Sequence, residues 1–347
     1  MVKRNMRKRR LRDSWPAVLV IAASVWVMPF AQALAAPPEF VPWQADHHVH
    51  MRSQAIYDAF GTLCAQFDKR DCEVPDAAHP VRGAADVIAA LDEAHVEKGV
   101  VLSMGYFFGS PYLAARHYDV ARMTRAENEY VAEQVARNPK RLIGFFSVDP
   151  LSDSALEEVR FWADNHRLTG LKLHFANSGV HLKDPEQVRK IAAVVGLAGD
   201  RKLPMVIHLR AAHEFTAEEV EVFIRDILPR AGDSWVQIAH AAGWYGTDQV
   251  MFDDLAAFAA HIRRNDPVTR HTLFDLAEVV TTATTPDEAA ALAKLMRQIG
   301  LKRFVMGSDY DFNSSTPKSS DDLTRAKLPL SNREWRVVAR NCAPWAC

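Results

Sequence analysis

Short apolar runs alternate with amphipathic stretches along most of this chain. Eight strand-like runs cover residues 44–50, 99–104, 142–148, 170–175, 204–209, 235–240, 272–280 and 303–308. Most are continuously apolar, which is typical of strands buried on both faces of a parallel sheet. Helical periodicity between the strands predicts helices over residues 84–96, 125–137, 154–165, 185–198, 217–228, 253–264 and 286–299. Asp184-Pro185 and Thr285-Pro286 are typical helix starts, with a capping side chain followed by proline.

Eight strands, nearly all of them followed by a helix, predict a closed (β/α)8 TIM barrel. An open doubly wound sheet is the alternative, but no Gly-x-Gly-x-x-Gly turn or phosphate loop follows an early strand. We expect residues 36–347 to form a single barrel domain, with an insertion near residues 51–80 above the first strand. Active sites of this fold lie at the C-terminal ends of the strands, so this insertion lies close to the expected site.

The N-terminal residues have the order of a secretory signal peptide. A basic segment from Lys3 to Arg12 precedes an apolar stretch from Trp15 to Leu34, which closes on the small-residue pattern Ala-Leu-Ala at residues 33–35. The alternative is an uncleaved anchor, because the apolar stretch approaches the roughly 20 residues that span a membrane. We expect cleavage after residue 35, a periplasmic or secreted mature protein, and no membrane association after cleavage.

The charge and cysteine content narrow the expected partners. The 42 Lys and Arg residues nearly balance the 43 Asp and Glu residues, and no basic tract lies outside the leader, so a nucleic-acid partner is not expected. A small-molecule substrate is expected, and a homo-oligomer stays open. The cysteines fall in two local pairs, Cys64/Cys72 and Cys342/Cys347. Both could form disulfides in an oxidising compartment, although four cysteines permit three pairings.

Polar residues fall at the same end of the predicted strands. In Asp46-His47-His48-Val49-His50, alternate residues point to one side of a strand, so Asp46, His48 and His50 are expected to project together. Further polar residues end the fourth, fifth, sixth and eighth strands, namely Lys172, His174, His208, His240 and Asp309. In a barrel these ends converge on one mouth.

The alternative to metal binding for each of these residues is a purely structural role. A lone histidine on an apolar strand is more often a hydrogen-bonded core residue than a ligand, and Asp309 could cap the following loop. Burying so many imidazoles and a carboxylate at one end would, however, demand many compensating hydrogen bonds. A bound cation removes that cost, so the pattern favours a metal site.

In this order, His48-x-His50, His208, His240 and Asp309 resemble the metal-dependent amidohydrolase superfamily. The segments Gly-Leu-Lys-Leu-His, Ile-Ala-His-Ala-Ala-Gly and Met-Gly-Ser-Asp-Tyr are similar to its amidohydrolase-related branch. The resemblance implies that His48, His50, His208 and Asp309 bind a divalent ion, with zinc expected. It implies that Asp309 is the base acting on metal-activated water, with His240 as acid/base or oxyanion stabiliser.

The resemblance leaves two residues open. Lys172 occupies the position where some members carry a carboxylated lysine that bridges two ions, whereas other members have a similar run and one ion. We favour one ion, with Lys172 or His174 contacting substrate or water, and two ions stay open. Asp46 lies two residues before the first ligand, where the decarboxylases of the branch often carry a glutamate, so this subgroup also stays open.

Candidate substrate-binding residues follow three of the strands. Tyr106, Trp244 and Arg210 would give an aromatic-lined mouth with one cation, which suits a small aromatic or cyclic carboxylate. Alternatively, the aromatic residues only pack the loops. The branch contains amide, lactone and ester hydrolases as well as non-oxidative decarboxylases. We therefore expect an exported metal-dependent hydrolase, with a decarboxylase as the alternative. A non-catalytic periplasmic binding protein is less favoured, because no ligand position is degraded.

Overall fold

The computed structural model describes residues 41–66, 78–211, 215–311 and 315–347. These residues belong to one compact unit, Pro38–Cys347. The predicted signal peptide and Cys72 lie outside the described residues, as does part of the predicted insertion. Within the described ranges, every helix is too short or too polar to cross a membrane.

Eight parallel strands lie side by side in sequence order. They are β1 (Ala45–Val49), β2 (Lys98–Leu102), β3 (Leu142–Ser147), β4 (Gly170–His174), β5 (Met205–His208), β6 (Val236–Ile238), β7 (Thr272–Asp275) and β8 (Phe304–Val305). The residues after β8 return to β1, where His47 N donates to Met306 O over 3.0 Å and Asp309 N donates to His48 O over 2.8 Å. The sheet therefore closes, and the predicted (β/α)8 barrel is confirmed.

Helices surround the strands. They are α1 (Gln54–Cys64), α2 (Ala84–Glu93), α3 (Val120–Ala136), α4 (Ala155–Asn165), α5 (Pro185–Asp200), α6 (Ala217–Val222), α7 (Gln249–Arg263), α8 (Pro286–Ile299), α9 (Pro317–Lys327) and α10 (Asn332–Arg340). Asp184 and Thr285 cap α5 and α8 as predicted. Asp184 accepts two backbone N–H groups of the first turn of α5, and Thr285 accepts one of α8. Helix α1, which was not predicted, lies within the predicted insertion and follows β1 directly.

Two local features differ from a regular strand pattern. The predicted strand over residues 272–280 ends at Asp275, because the carboxylate of Asp275 accepts the backbone N–H of Ala277 and turns the chain. The pairing of β1 with β2 shifts register between Asp46 and Val49, so strict alternation of side chains does not hold there. Both features lie beside the residues predicted to bind metal.

The C-terminal loop, residues 342–347, is closed by a disulfide between Cys342 and Cys347. This pairing was one of the two expected from the sequence. The loop contributes Trp345 and Ala346 to an apolar cluster with residues of the barrel strands, namely Ala45, Val100, Leu102, Phe145 and Val206. The end of the barrel opposite the predicted site is thus filled by the end of the chain.

Candidate metal centre

The four predicted ligands and the predicted acid/base are all buried at the C-terminal end of the barrel, namely His48, His50, His208 and Asp309 with His240. Asp309 Oδ1 lies 3.3 Å from His48 Nε2 and 3.2 Å from His50 Nε2. His48, His240 and Asp309 each offer a ligand atom, and these atoms lie within 4.8 Å of one another. Residues that are far apart in the sequence therefore converge on a volume small enough for one ion.

The imidazole rings of the centre pack against one another. The ring centroid of His240 lies 4.8 Å from that of His48 and 4.9 Å from that of His208. The His208 ring also stacks on His174, with centroids 3.9 Å apart and planes 10° apart. The histidine that ends β4 thus lies beside the centre, as a contact of a predicted ligand.

Hydrogen bonds to the outer ring nitrogens orient these imidazoles. His50 Nδ1 donates to Leu102 O over 2.8 Å, and His240 Nδ1 donates to Ala277 O over 2.8 Å. Because a carbonyl oxygen only accepts, each Nδ1 carries the proton and each Nε2 presents a lone pair. This is the arrangement that surrounds metal-binding histidines.

The donor atoms fit a divalent cation. His208 Nε2 and Asp309 Oδ1 are buried and make no hydrogen bond, which is costly unless another group satisfies them. Burial lowers the pKa of His48 to about 4 and holds the pKa of His208 well below its usual range, so both rings are neutral as ligands must be. Burial alone would raise the pKa of Asp309, but the neighbouring imidazoles of His48, His240 and His50 hold it well below its usual range.

Lys172 and Asp46 lie beside the centre in different ways. Lys172 is buried, its Nζ lies 3.4 Å from His48 Nε2, and burial lowers its pKa to about 8. Asp46 Oδ1 accepts the backbone N–H groups of His48 over 3.1 Å and Ser308 over 3.0 Å. Burial raises the pKa of Asp46 to about 7. Asp46 therefore ties β1 to the segment after β8.

The three substrate-binding candidates are in different environments. Tyr106 is buried, with its ring 4.9 Å from the His174 ring. Trp244 is 40% exposed, and its ring lies 5.4 Å from that of His208, so it borders the open side of the centre. Arg210 Nη1 lies 2.6 Å from Asp248 Oδ2, at the N-cap of α7. Arg210 is therefore paired within the protein.

Sequence reasoning missed Asp275, which organises the centre. Its Oδ2 lies 3.1 Å from His48 Nδ1 and accepts from Gln237 Nε2 over 2.7 Å. Its Oδ1 accepts the backbone N–H of His240 over 2.8 Å. Burial opposes ionisation, but the interactions with His48 and His240 lower the pKa of Asp275 to about 2. The available signal was an acidic residue inside an apolar run. We extended the predicted strand to residue 280, and this concealed that the strand ends at Asp275.

Comparison with protein families decides the assignment. The family model described as Amidohydrolase matches residues 45–338 of the chain. The chain belongs to the amidohydrolase family. This confirms the resemblance inferred from the strand-end motifs and makes the protein a member of a superfamily of metal-dependent enzymes. Comparison with curated proteins found no match.

Solved structures share this amidohydrolase fold. A 5-carboxyvanillate decarboxylase from Novosphingobium aromaticivorans, complexed with manganese and 4-hydroxy-3-methoxy-5-nitrobenzoic acid, is 13% identical, with a TM-score of 0.59 over 88% of this chain and 96% of that chain. An amidohydrolase from Burkholderia multivorans with bound zinc is 14% identical, with a TM-score of 0.53 over 85% and 95%. A protein from Acinetobacter baumannii, described as a probable 2-pyrone-4,6-dicarboxylic acid hydrolase with citric acid bound, is 15% identical, with a TM-score of 0.50 over 85% and 95%.

Proposed function

We propose that this amidohydrolase is a metal-dependent hydrolase that cleaves an amide, lactone or ester bond of a small molecule with activated water. The observation that carries the proposal is the position of Asp309, whose Oδ1 is buried between the Nε2 atoms of His48 and His50 and makes no hydrogen bond. A carboxylate placed there can contact an ion and accept a proton from water in the same volume. The unpaired His208 Nε2 supports the same assignment.

His48, His50, His208 and Asp309 would hold the ion. Three imidazoles and one carboxylate are typical of zinc, which we propose as the natural metal, and the zinc and manganese in the two solved structures above agree with a divalent ion. When bound, the ion supplies Lewis-acid chemistry, which polarises an acyl oxygen and makes water acidic enough to lose a proton near neutral pH. We propose one ion, because Lys172, whose Nζ lies 3.4 Å from His48 Nε2 and whose pKa is lowered only to about 8, is an ammonium at neutral pH and disfavours a second cation there.

The protein's own residues divide the proton transfers. Asp309 takes the proton from water, because it is ionised at neutral pH. The bond from His240 Nδ1 to Ala277 O leaves its Nε2 as an acceptor, so His240 can take up the proton that Asp309 removes from water and deliver it to the leaving group, which leaves Asp309 ionised again. Asp275 orients His48 and holds the backbone N–H of His240, and thereby fixes both residues relative to each other.

The substrate is proposed to be a small molecule that enters on the side of Tyr106 and Trp244. The 4-hydroxy-3-methoxy-5-nitrobenzoic acid and the citric acid in two of the similar structures are consistent with such a partner. We further propose that residues 1–35 direct export and that residues 36–347 act in the periplasm or outside the cell. Membership in an enzyme family favours catalysis over a non-catalytic binding protein.

A non-oxidative decarboxylase is the second candidate. The observation that favours it is the TM-score of 0.59 with a decarboxylase that holds a nitrated aromatic acid, together with the aromatic side chains of Tyr106 and Trp244 beside the centre. The same residues would then bind a carboxylate that leaves as CO2. Product analysis in ¹⁸O-labelled water separates the two reactions, because only hydrolysis places solvent oxygen in the organic acid.

The first experiment is the metal content per chain of the purified protein, for wild type, His208→Ala and His174→Ala. We expect about one ion in wild type, its loss in His208→Ala, and its retention in His174→Ala, the stacked neighbour outside the proposed ligand set. Two ions in wild type would make Lys172 a bridging ligand. A wild-type protein that takes up no ion when zinc or manganese is supplied would refute the proposed function.

A further inference from the structure

We propose that the C-terminal loop, residues 342–347, is a stopper that positions the metal-binding strand β1 through His47. His47 would be a positioning residue, acting through its neighbour His48. The disulfide of the loop would then serve the metal centre as well as stability. The consequence for metal binding rests on the proposed metal site, whereas the positioning of β1 can be measured without metal.

The loop closes the N-terminal end of the barrel. The ring of Trp345 lies 5.9 Å from that of Phe145 on β3, and Ala343 packs with Leu273 of β7 and Val305 of β8. Lys98, at the start of β2, donates from Nζ to Ala346 O over 3.1 Å. The loop thus contacts strands around the barrel, which is the requirement for a stopper.

The His47 ring joins the loop to two strands. Its Nε2 accepts the backbone N–H of Ala343 over 3.0 Å, and its Nδ1 donates to Met306 O, after β8, over 3.0 Å. Both ring nitrogens of a buried imidazole are therefore used, in a single tautomer. The register shift of β1 places His47 towards the loop while the next residue, His48, enters the metal centre.

A short series of hydrogen bonds connects His47 to the centre. Its carbonyl oxygen accepts from Gln237 Nε2 over 3.2 Å, and the same nitrogen donates to Asp275 Oδ2 over 2.7 Å. Asp275 in turn contacts His48 Nδ1. A displacement of the His47 backbone would therefore reach His48 both along the strand and through Gln237.

The disulfide keeps the Ala343 N–H in place. Asn341 fixes the chain before the loop by donating to Lys302 O over 2.6 Å and Phe304 O over 2.7 Å. Beyond that point the Cys342–Cys347 bond closes the last residues into a small ring. Without this bond the loop gains conformational freedom, and its bond to His47 weakens.

Two substitutions at His47 separate its two bonds. In His47→Gln the amide oxygen occupies the place of Nε2 and can accept from Ala343, whereas in His47→Asn the amide nitrogen occupies the place of Nδ1 and can donate only to Met306 O. The third variant, Cys342→Ser/Cys347→Ser, opens the loop. The three variants and wild type are compared by zinc affinity in a chelator competition and by hydrogen exchange of the amides of residues 45–50 in metal-free protein.

We expect His47→Asn and the double serine variant to bind zinc about tenfold more weakly, the lower end of the loss seen when groups behind a metal ligand are removed. We expect the exchange of residues 45–50 to be faster in these two variants and near wild type in His47→Gln. Equal exchange in all four proteins would overturn the inference, whether or not zinc binds. A wild-type protein that binds no zinc but shows the expected exchange pattern would refute the proposed function and leave the stopper in place.

Discussion

The two ends of the barrel bury different kinds of side chain. At the C-terminal end, imidazoles and carboxylates are buried with unpaired atoms such as His208 Nε2, and burial lowers the pKa of His48 to about 4. At the N-terminal end, the disulfide-closed loop covers an apolar cluster that includes Phe145 and Val206. The first arrangement costs stability and the second supplies it. The same strands therefore carry both the buried polar groups that chemistry needs and the apolar packing that offsets their cost.

Among the substitutions that test this difference between the two ends, Asp309→Asn is expected to have the largest effect. Asparagine keeps the shape of the side chain but neither carries the charge that binds a cation nor accepts a proton from water. We expect kcat/KM to fall by about 10²- to 10⁴-fold, the range for a lost general base. The apolar end should be unaffected, so the variant should remain folded by circular dichroism. Activity within tenfold of wild type would contradict the role of Asp309 and the contrast between the two ends.

The strand-end positions of the polar residues could be predicted because each of these residues interrupts an apolar run. Histidines at strand ends, in His48-x-His50, His208 and His240, are visible wherever an apolar run stops, and a barrel necessarily brings these ends together. Asp275 was concealed because residues 276–280 continue the apolar run, although the chain turns at Ala277. Whether residues 276–280 continue the strand or form a turn depends on the hydrogen bond from the backbone N–H of Ala277 to the carboxylate of Asp275.

The other end could not be predicted from local patterns. The cysteine spacing indicated a Cys342–Cys347 disulfide, but not that Trp345 lies against Phe145. The register shift that directs His47 to the loop and Asp46 to Ser308 is a property of the closed barrel. Likewise, the pairing of Arg210 with Asp248 follows from how the β5 loop meets α7. Such contacts between distant segments carry no periodic signal in one sequence.

An intermediate effect is expected at Glu127, which holds the segment that follows the metal-binding residues of β1. This buried residue of α3 accepts the hydroxyl of Ser53, the N-cap of α1, three residues after His50. Burial raises the pKa of Glu127 from 4.5 to about 7, because it disfavours the carboxylate. The folded protein therefore binds a proton more tightly than the unfolded chain, and its stability falls as the pH rises from about 4.5 to about 7.

Glu127→Gln removes this titration. We expect the variant to have nearly the stability of wild type at pH 5 and to be more stable at pH 8 by on the order of 2 kcal/mol, because a tenfold change in proton affinity corresponds to about 1.4 kcal/mol. Urea unfolding at both pH values measures the difference. Trp345→Ala is the control from the opposite end of the barrel. Because an indole does not titrate, this substitution should lower the stability by the same amount at pH 5 and at pH 8. If the stability difference between Glu127→Gln and wild type were the same at pH 5 and pH 8, the raised pKa of Glu127 would be refuted.

The smallest effect is expected for Arg210→Met, which tests whether Arg210 takes part in substrate recognition at the C-terminal end of the barrel. The Arg210–Asp248 pair is partly exposed, so its loss should cost less than about 1 kcal/mol of stability. If Arg210 can leave Asp248 to bind a substrate carboxylate, KM for an acidic substrate should rise about tenfold with kcat nearly unchanged, the signature of lost uniform binding. The matching neutral ester is the control substrate. Equal effects on both substrates would restrict the role of Arg210 to its ion pair with Asp248, the N-cap of α7. The recognition of the substrate would then depend on Tyr106 and Trp244.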